Sequence, residues 1–220
     1  YGSTTEQASG LAFVNGAEGW PPVQSHVALG DPIAGLFAAV AALAGVWAQG
    51  RDGGLRVDLS QVETVFQLSA PAILAEQTTG RPVPRDAAAR PGSRLTRVVP
   101  AAGADAWLLV DCESEADLAA LAAALGAPSG EAAELETALR AHAAARPAPE
   151  VAAALQAAGV PAAPVTPPHL LDRDPHLRAT GLWRRIERPH TGAHLVAHLP
   201  LRLDGARPEI DRPAPVMGQD

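Results

Sequence analysis

Gly30-Asp31-Pro32 stands directly before an Ala/Gly-rich apolar run at 33–48, and this places one carboxylate at the mouth of a helix. Asp is a favoured N-cap because its side-chain oxygen accepts from an unpaired N–H of the first turn. Pro32 suits the first helical position, where a missing N–H costs nothing. The positive end of the helix dipole favours the ionised carboxylate. Gly30 removes side-chain bulk beside it, leaving room for a ligand's reacting carbon, and marks a candidate cofactor-binding position. A fixed, charged, approachable carboxylate is what a carboxylate nucleophile requires. By itself the triplet reads as a structural N-cap, since Asp leads N-cap preference generally.

Other chemistry-bearing residues point nowhere as specific. His190, His194 and His198 are spaced by four, so a strand would place all three on one face. No acidic or Cys ligand is placed to complete a metal site, and they read as surface histidines. Asp172 and Asp174 read as a solvated turn or helix start. Ser60-Gln61-Val62-Glu63 matches a capping box, which makes Glu63 a cap and not an acid catalyst. Cys112 follows a predicted strand with no basic partner nearby and reads as a buried, inert thiol. Trp20, Trp47, Trp107 and Trp183 are scattered and read as core or rim packing. There is no Gly-x-Gly-x-x-Gly, P-loop or Gly-x-Ser-x-Gly sequence, so phosphate cradles and serine hydrolysis gain no support.

The 220 residues suffice for one large domain or two small ones. With 47% hydrophobic and 19% charged residues the chain is globular and not disordered. Its net charge of −7 argues against nucleic acid as a partner, since phosphate binding needs a basic face. Every basic side chain besides histidine is Arg, a composition bias that accompanies the alanine richness. One cysteine rules out an internal disulfide and fits a reducing, cytoplasmic compartment. The run at 33–48 is shorter than the roughly 20 residues of a membrane span, so a helix buried on all sides in a core is expected and no membrane partner. The chain begins at Tyr1 without a secretory signal, and it is expected to start inside a longer polypeptide.

These features imply an α/β chain. Residues 1–78 form a large-domain segment: a polar start, the helix from Pro32 to a C′ glycine near Gly50, a turn at Asp52-Gly53-Gly54, a short strand at 55–59, and a helix from Ser60 to about Gln77. Residues 79–97, rich in Pro, Arg and Gly, form a linker. A small α/β domain follows at 98–165, with a strand at 106–111, helices at 114–125, 131–145 and 149–158, and an extended proline-bearing segment at 160–165. A returning tail at 166–220, with short strands near 182–187 and 194–203, is expected to pack back on the large domain.

Several segments, in order, resemble the class III CoA-transferases, the L-carnitine dehydratase/bile-acid-inducible protein F family. They are Ser9-Gly10-Leu11, Pro21-Pro22, Gly30-Asp31-Pro32-Ile33-Ala34-Gly35-Leu36 and the stretch from Gly54 through Val57-Asp58-Leu59-Ser60 to Glu63. Further on come Ala158-Gly159-Val160-Pro161, Asp174-Pro175-His176-Leu177, and Pro213-Ala214-Pro215-Val216-Met217-Gly218. The resemblance implies that Asp31 is the nucleophile. It would attack an acyl-CoA thioester to form a mixed anhydride, which CoA thiolate converts to an aspartyl-CoA thioester before an acceptor acid reverses both steps. Coenzyme A is then a substrate thioester, with no permanently bound cofactor. The resemblance also implies an interlocked homodimer or paired subunit.

The match covers the later half of the family's chain. The N-terminal nucleotide-fold half, which supplies most CoA contacts, and the usual C-terminal helix have no counterpart here, so the chain reads as a fragment or segment of a larger transferase that needs that half. At 89–94, Ala89-Arg90-Pro91-Gly92-Ser93-Arg94 departs from the family's Asn-Arg-His stretch. Two alternatives stay open: a 2-methylacyl-CoA racemase of the same fold, where the Asp is a proton-transfer base, and a non-catalytic partner half.

Overall fold

The computed structural model describes residues 2–17, 19–48, 54–85, 92–128, 130–210 and 212–219. Four helices come first: α1 (Gly2–Ala8), α2 (Leu11–Val14), α3 (Gly30–Ala48) and α4 (Gln61–Thr79). The chain reverses between α1 and α2 through Gly10, whose φ of 79° is open to glycine. α1 crosses the first turn of α3 so closely that a Cβ on Gly30 would lie 2.3 Å from Thr5 Oγ1, and one on Gly2 would lie 2.9 Å from Ala28 Cβ. α4 packs against α1, α2 and α3, and its Val65 is fully buried. Glu6 is also fully buried, and its carboxylate accepts from Ser25 N–H and Ser25 Oγ, each at 2.8 Å. A buried carboxylate requires such partners, and these two tie the loop that enters α3 to α1.

α3 departs from the expected all-round burial. Leu36, Val40, Leu43 and Trp47 form an outward apolar stripe, Leu43 being 71% and Trp47 82% exposed. Uniform hydrophobicity predicts a buried helix only when neighbours exist on every side. Here α1, α4 and the segment 54–59 cover one side, and the stripe has no cover among the described residues. At 19 residues α3 is also long and apolar enough, by length and composition alone, to cross a membrane. Residues 55–59 form no strand, because no other described strand lies beside them to pair with. Gly50, Asp52, Gly53, Ala89, Arg90 and Pro91 fall outside the described residues.

α4 starts where its sequence signal places it. Ser60 is the N-cap and its Oγ accepts from Glu63 N–H at 3.4 Å; Gly80, at φ 67°, closes the helix just after Thr79. The next segments build a three-stranded antiparallel sheet in the order β1 (Leu95–Pro100), β2 (Trp107–Cys112), β3 (Ala162–Pro164). Val98 pairs with Leu109, and Leu108 with Pro164. β1 begins inside the stretch read as linker: Leu-Thr-Arg-Val-Val-Pro carries little alternation, and pairing with β2 makes it a strand. Helices α5 (Glu115–Leu125), α6 (Ala132–Ala144) and α7 (Ala148–Ala157) cover one face of the sheet. Between them lies the main core, in which Val99, Leu108, Val110, Leu121, Leu135, Leu139, Val151 and Leu155 are essentially inaccessible. α5 has a full capping box between Ser114 and Asp117 and ends at Gly126 in the left-handed conformation. The backbone N–H of Ser114 above all, then that of Glu113, holds the Asp117 carboxyl below its usual range.

The tail begins with a 3-10 helix (Pro168–Arg173) and continues with α8 (Pro175–Ala179), capped by Asp174, whose Oδ1 accepts from Leu177 N–H at 2.8 Å. A hairpin of β4 (Trp183–Arg188) and β5 (Gly192–Ala197) follows. The second strand stops at Ala197, short of the expected 203, and only an isolated bridge joins Leu203 to Ala206. Arg202 and Arg207 both donate to the Thr180 carbonyl, folding the last segment onto the end of α8. The tail's elements pack chiefly on one another.

Gly30→Ala is expected to destabilise the helical layer by about 1–3 kcal/mol, the cost of overpacking a tight site. Thr5→Ala in the same chain should recover most of that loss in a denaturant titration. A Gly30→Ala protein as stable as the parent would show that the close crossing is absent.

Cys112 is completely buried, and burial, followed by the charges of Asp117 and Asp111, pushes its thiol up to about 11 from 9.0. Folding therefore favours the neutral thiol. That stabilisation is complete below pH 9 and disappears as pH rises from 9.0 to about 11. The chain has no Lys and one Tyr, so little else titrates in that window. A fall in stability over this range is expected in the parent and not in Cys112→Val; equal profiles would contradict it.

Candidate functional site

Asp31 is the second residue of α3 and is solvent-exposed. It is not the N-cap that the sequence suggests. The chain is already turning when it reaches Asp31, whose N–H donates to Ala28 O at 3.2 Å, so the carboxylate is not used on the backbone of its own first turn. Pro32 is accordingly the third helical residue, still within the turn whose N–H groups have no intrahelical partner. Asp31 Oδ1 instead accepts a hydrogen bond from Gln61 Nε2. Gln61 is the first residue of α4, so the first turns of two helices meet at this carboxylate. Both present the positive end of their peptide dipoles, which favours negative charge there.

The two carboxylate oxygens differ. Oδ1 is engaged by Gln61. Oδ2 lies beside Gly2, close enough that a Cβ on Gly2 would stand 3.4 Å from it. Gly30 does not provide the open approach expected of a cofactor-binding glycine, because the Thr5 hydroxyl fills the space where its side chain would be. Its role in this geometry is packing. Gly35 offers the opening instead. It lies one turn beyond Asp31 on the same helix face, is exposed, and has nothing within 4 Å of where a Cβ would stand.

Grooves run elsewhere along the described elements, and Asp31 lines none of the three that follow. One of about 500 Å³ lies between the small-residue side of α3 (Ala38, Ala42, Gly45) and Leu55 and Val57. A smaller one, of about 210 Å³, borders the start of α4 at Phe37, Asp58, Ser60 and Gln67. In the α/β unit, Trp107, Asp105 and His169 border a third, of about 540 Å³, where Trp107 Nε1 donates to Asp105 Oδ1 at 2.7 Å.

The remaining sequence candidates do not join the site. His190 occupies the β4–β5 turn with φ 70°, while His194 lies in β5 and His198 beyond it, so regular strand spacing does not hold for the three. Among the described residues no group of three or more His, Cys, Asp or Glu side chains is placed to hold a metal ion. Trp20 and Trp47 are exposed and not core residues. Gln61, Glu6, Ser25 and Thr5 were not singled out by sequence as site residues. The capping motif at Ser60 marks Gln61 as lying at a helix mouth, but nothing local tells which mouth it faces. Glu6 sits in an ordinary polar run and gives no signal of its burial.

This arrangement supplies an exposed carboxylate with one oxygen held by a neutral donor, fit to act as a nucleophile or as a base. The sequence profile of CoA-transferase family III matches residues 1–220. The chain is 30% identical over 208 residues to the probable CoA-transferase Rv1866 of Mycobacterium tuberculosis, covering 86% of this chain and 26% of that protein. It is 26% identical to the succinyl-CoA–D-citramalate CoA-transferase of Chloroflexus aurantiacus, covering 100% of this chain and 58% of that one. It thus spans little more than half of one curated relative and about a quarter of the other. A crystal structure of a CaiB/BaiF family protein from Brucella suis superposes with a TM-score of 0.79 at 20% identity, over 100% of this chain and 60% of that one. An aspartate-to-alanine mutant of Rv3272 from Mycobacterium tuberculosis superposes with a TM-score of 0.74 at 16% identity, again over 60% of its length. With α3 and its Asp31-bearing first turn inside a match that runs from end to end, the chain belongs to CoA-transferase family III.

Proposed function

We propose that this chain carries the nucleophile of a CoA-transferase, Asp31, which moves CoA from an acyl-CoA thioester to a free carboxylic acid. The observation that carries the reading is the state of that carboxylate: exposed at the first turn of α3, with Oδ1 held by Gln61 and Oδ2 beside the bare Cα of Gly2. Family membership and two relatives named as CoA-transferases support the reaction class. Asp31 attacks the thioester carbonyl and expels CoA thiolate, giving a mixed anhydride. The thiolate then attacks the aspartyl carbonyl and releases the donor acid, leaving an aspartyl-CoA thioester. The acceptor carboxylate takes the same two steps in reverse. Covalent catalysis here divides one difficult exchange into easier ones, and the dipoles of the two helix starts favour the carboxylate that begins and ends the cycle.

The test is to incubate the intact protein with a panel of acyl-CoAs and search by mass spectrometry for CoA on the Asp31 peptide. No basic cleavage site precedes Arg51, so trypsin needs a second protease. The expected outcome is a CoA adduct on Asp31. Asp31→Ala should lose the adduct and lower turnover by at least about a thousandfold, while changing stability by about 1 kcal/mol or less, the size of a helix-dipole contribution. Near-normal turnover in Asp31→Ala would remove Asp31 from the reaction. Exchange of an α-proton without any adduct would mark the racemase instead.

A further inference from the structure

Resting on the reading of Asp31 as nucleophile, we infer that Gln61 divides the labour between the two oxygens of that carboxylate: it holds Oδ1 as the oxygen that stays and takes the negative charge, and leaves Oδ2 as the one that attacks. The geometry is the hydrogen bond from Gln61 Nε2 to Oδ1, with Oδ2 turned to the side chain-free Cα of Gly2. Gln61 is itself well fixed. It follows the Ser60 N-cap, its backbone carbonyl accepts from Thr64 Oγ1 at 2.7 Å, and it stands half-buried in the first turn of α4.

The consequences follow bond by bond. Oδ2 attacks the thioester carbon, the C–S bond breaks, and CoA leaves as thiolate. The anhydride then has Oδ2 as its bridging atom and Oδ1 as the aspartyl carbonyl oxygen. Sulfur attacks Cγ, and the electron pair of the Cγ–Oδ1 double bond moves onto Oδ1. Collapse of that tetrahedral centre breaks Cγ–Oδ2, so the donor acid departs with Oδ2. In the second half-reaction the acceptor carboxylate attacks Cγ of the thioester, and Oδ1 carries the charge once more before thiolate leaves. Attack of that thiolate on the acceptor's carbonyl carbon frees the aspartate, whose second oxygen now comes from the acceptor.

Two of the four additions therefore place an oxyanion on Oδ1, the atom Gln61 already contacts. A donor fixed in advance on the oxygen where charge develops is the most effective electrostatic aid to acyl transfer, and losing one such donor costs roughly 10²–10³ in kcat. A neutral amide suits the place, because a cation would stabilise the resting carboxylate more strongly than the amide does, and stabilisation of the ground state does not accelerate the step.

The experiment uses Gln61→Met, which keeps length without the donor, and Gln61→Glu, which keeps shape without it, each checked for a parental melting transition. In the intact protein both should lower kcat by about 10²–10³ while KM for the acyl-CoA stays within about threefold. Rapid quenching with mass spectrometry of the Asp31 peptide should show the acyl adduct of the anhydride accumulating where the parent shows CoA. A merely structural role would not shift the adduct from CoA to acyl. A folded variant with kcat within twofold of the parent, or with slowed turnover but the parental CoA adduct, overturns the role of Gln61 and leaves Asp31 in place. A parent protein that never carries CoA on Asp31 overturns the reading beneath it as well.

Discussion

The crossing of α1 over the first turn of α3 is the constraint from which the rest of the site follows. It exists because Gly30 has no side chain: the Thr5 hydroxyl occupies that space, and Val65 of α4 closes in from another side. Packing of this density tolerates little volume change. The same crossing brings Gly2 against Ala28 and beside Asp31, and it puts Glu6 where its buried carboxylate can fasten the Ser25 loop. The carboxylate of interest is thus located by contacts that involve no other group of the reaction.

Charge is distributed in the same economical way. Several buried or half-buried acids serve structure: among them, Glu6 answers a loop, and Glu136 answers Arg97 and Arg140 across the α/β unit, the Arg97 hydrogen bond doing most to hold its carboxyl below the usual range. Asp31 is the acid left facing solvent between two helix starts, with a neutral amide as its hydrogen-bonding companion. An anion so placed is stabilised by fixed dipoles, and these do not compete for it as a mobile cation would.

Much of the local structure was legible because its causes are local. Ser60 and Ser114 announce helix starts, Gly126 marks a helix end, and the acidic first turn of α5 agrees with its capping box. Asp31 stood out because an acid, a proline and an apolar run share one short stretch. What sequence missed depends on partners distant in the chain. β1 is a strand by virtue of β2, whereas 55–59, with better strand composition, lacks a neighbour. Gln61 reaches Asp31 across 30 positions of sequence, and the helix begins two residues earlier than the Asp–Pro pair implies because Leu29 and Asp31 already donate to Val27 and Ala28. The burial of α3 failed as an expectation for a related reason: an apolar composition states a demand for cover, and only tertiary structure says whether the same stretch of chain meets it.

That bare stripe on α3 has a mechanical consequence. A helix is a stiff rod, and from Asp31 to Trp47 it extends about 24 Å at 1.5 Å per residue. One end carries the reacting carboxylate, and most of the remaining length is greasy surface facing outward. A body that seats on Leu36, Val40, Leu43 and Trp47 grips a handle rigidly joined to the nucleophile. In a rod of that stiffness, a tilt imposed at the far end would reach Asp31 as a displacement.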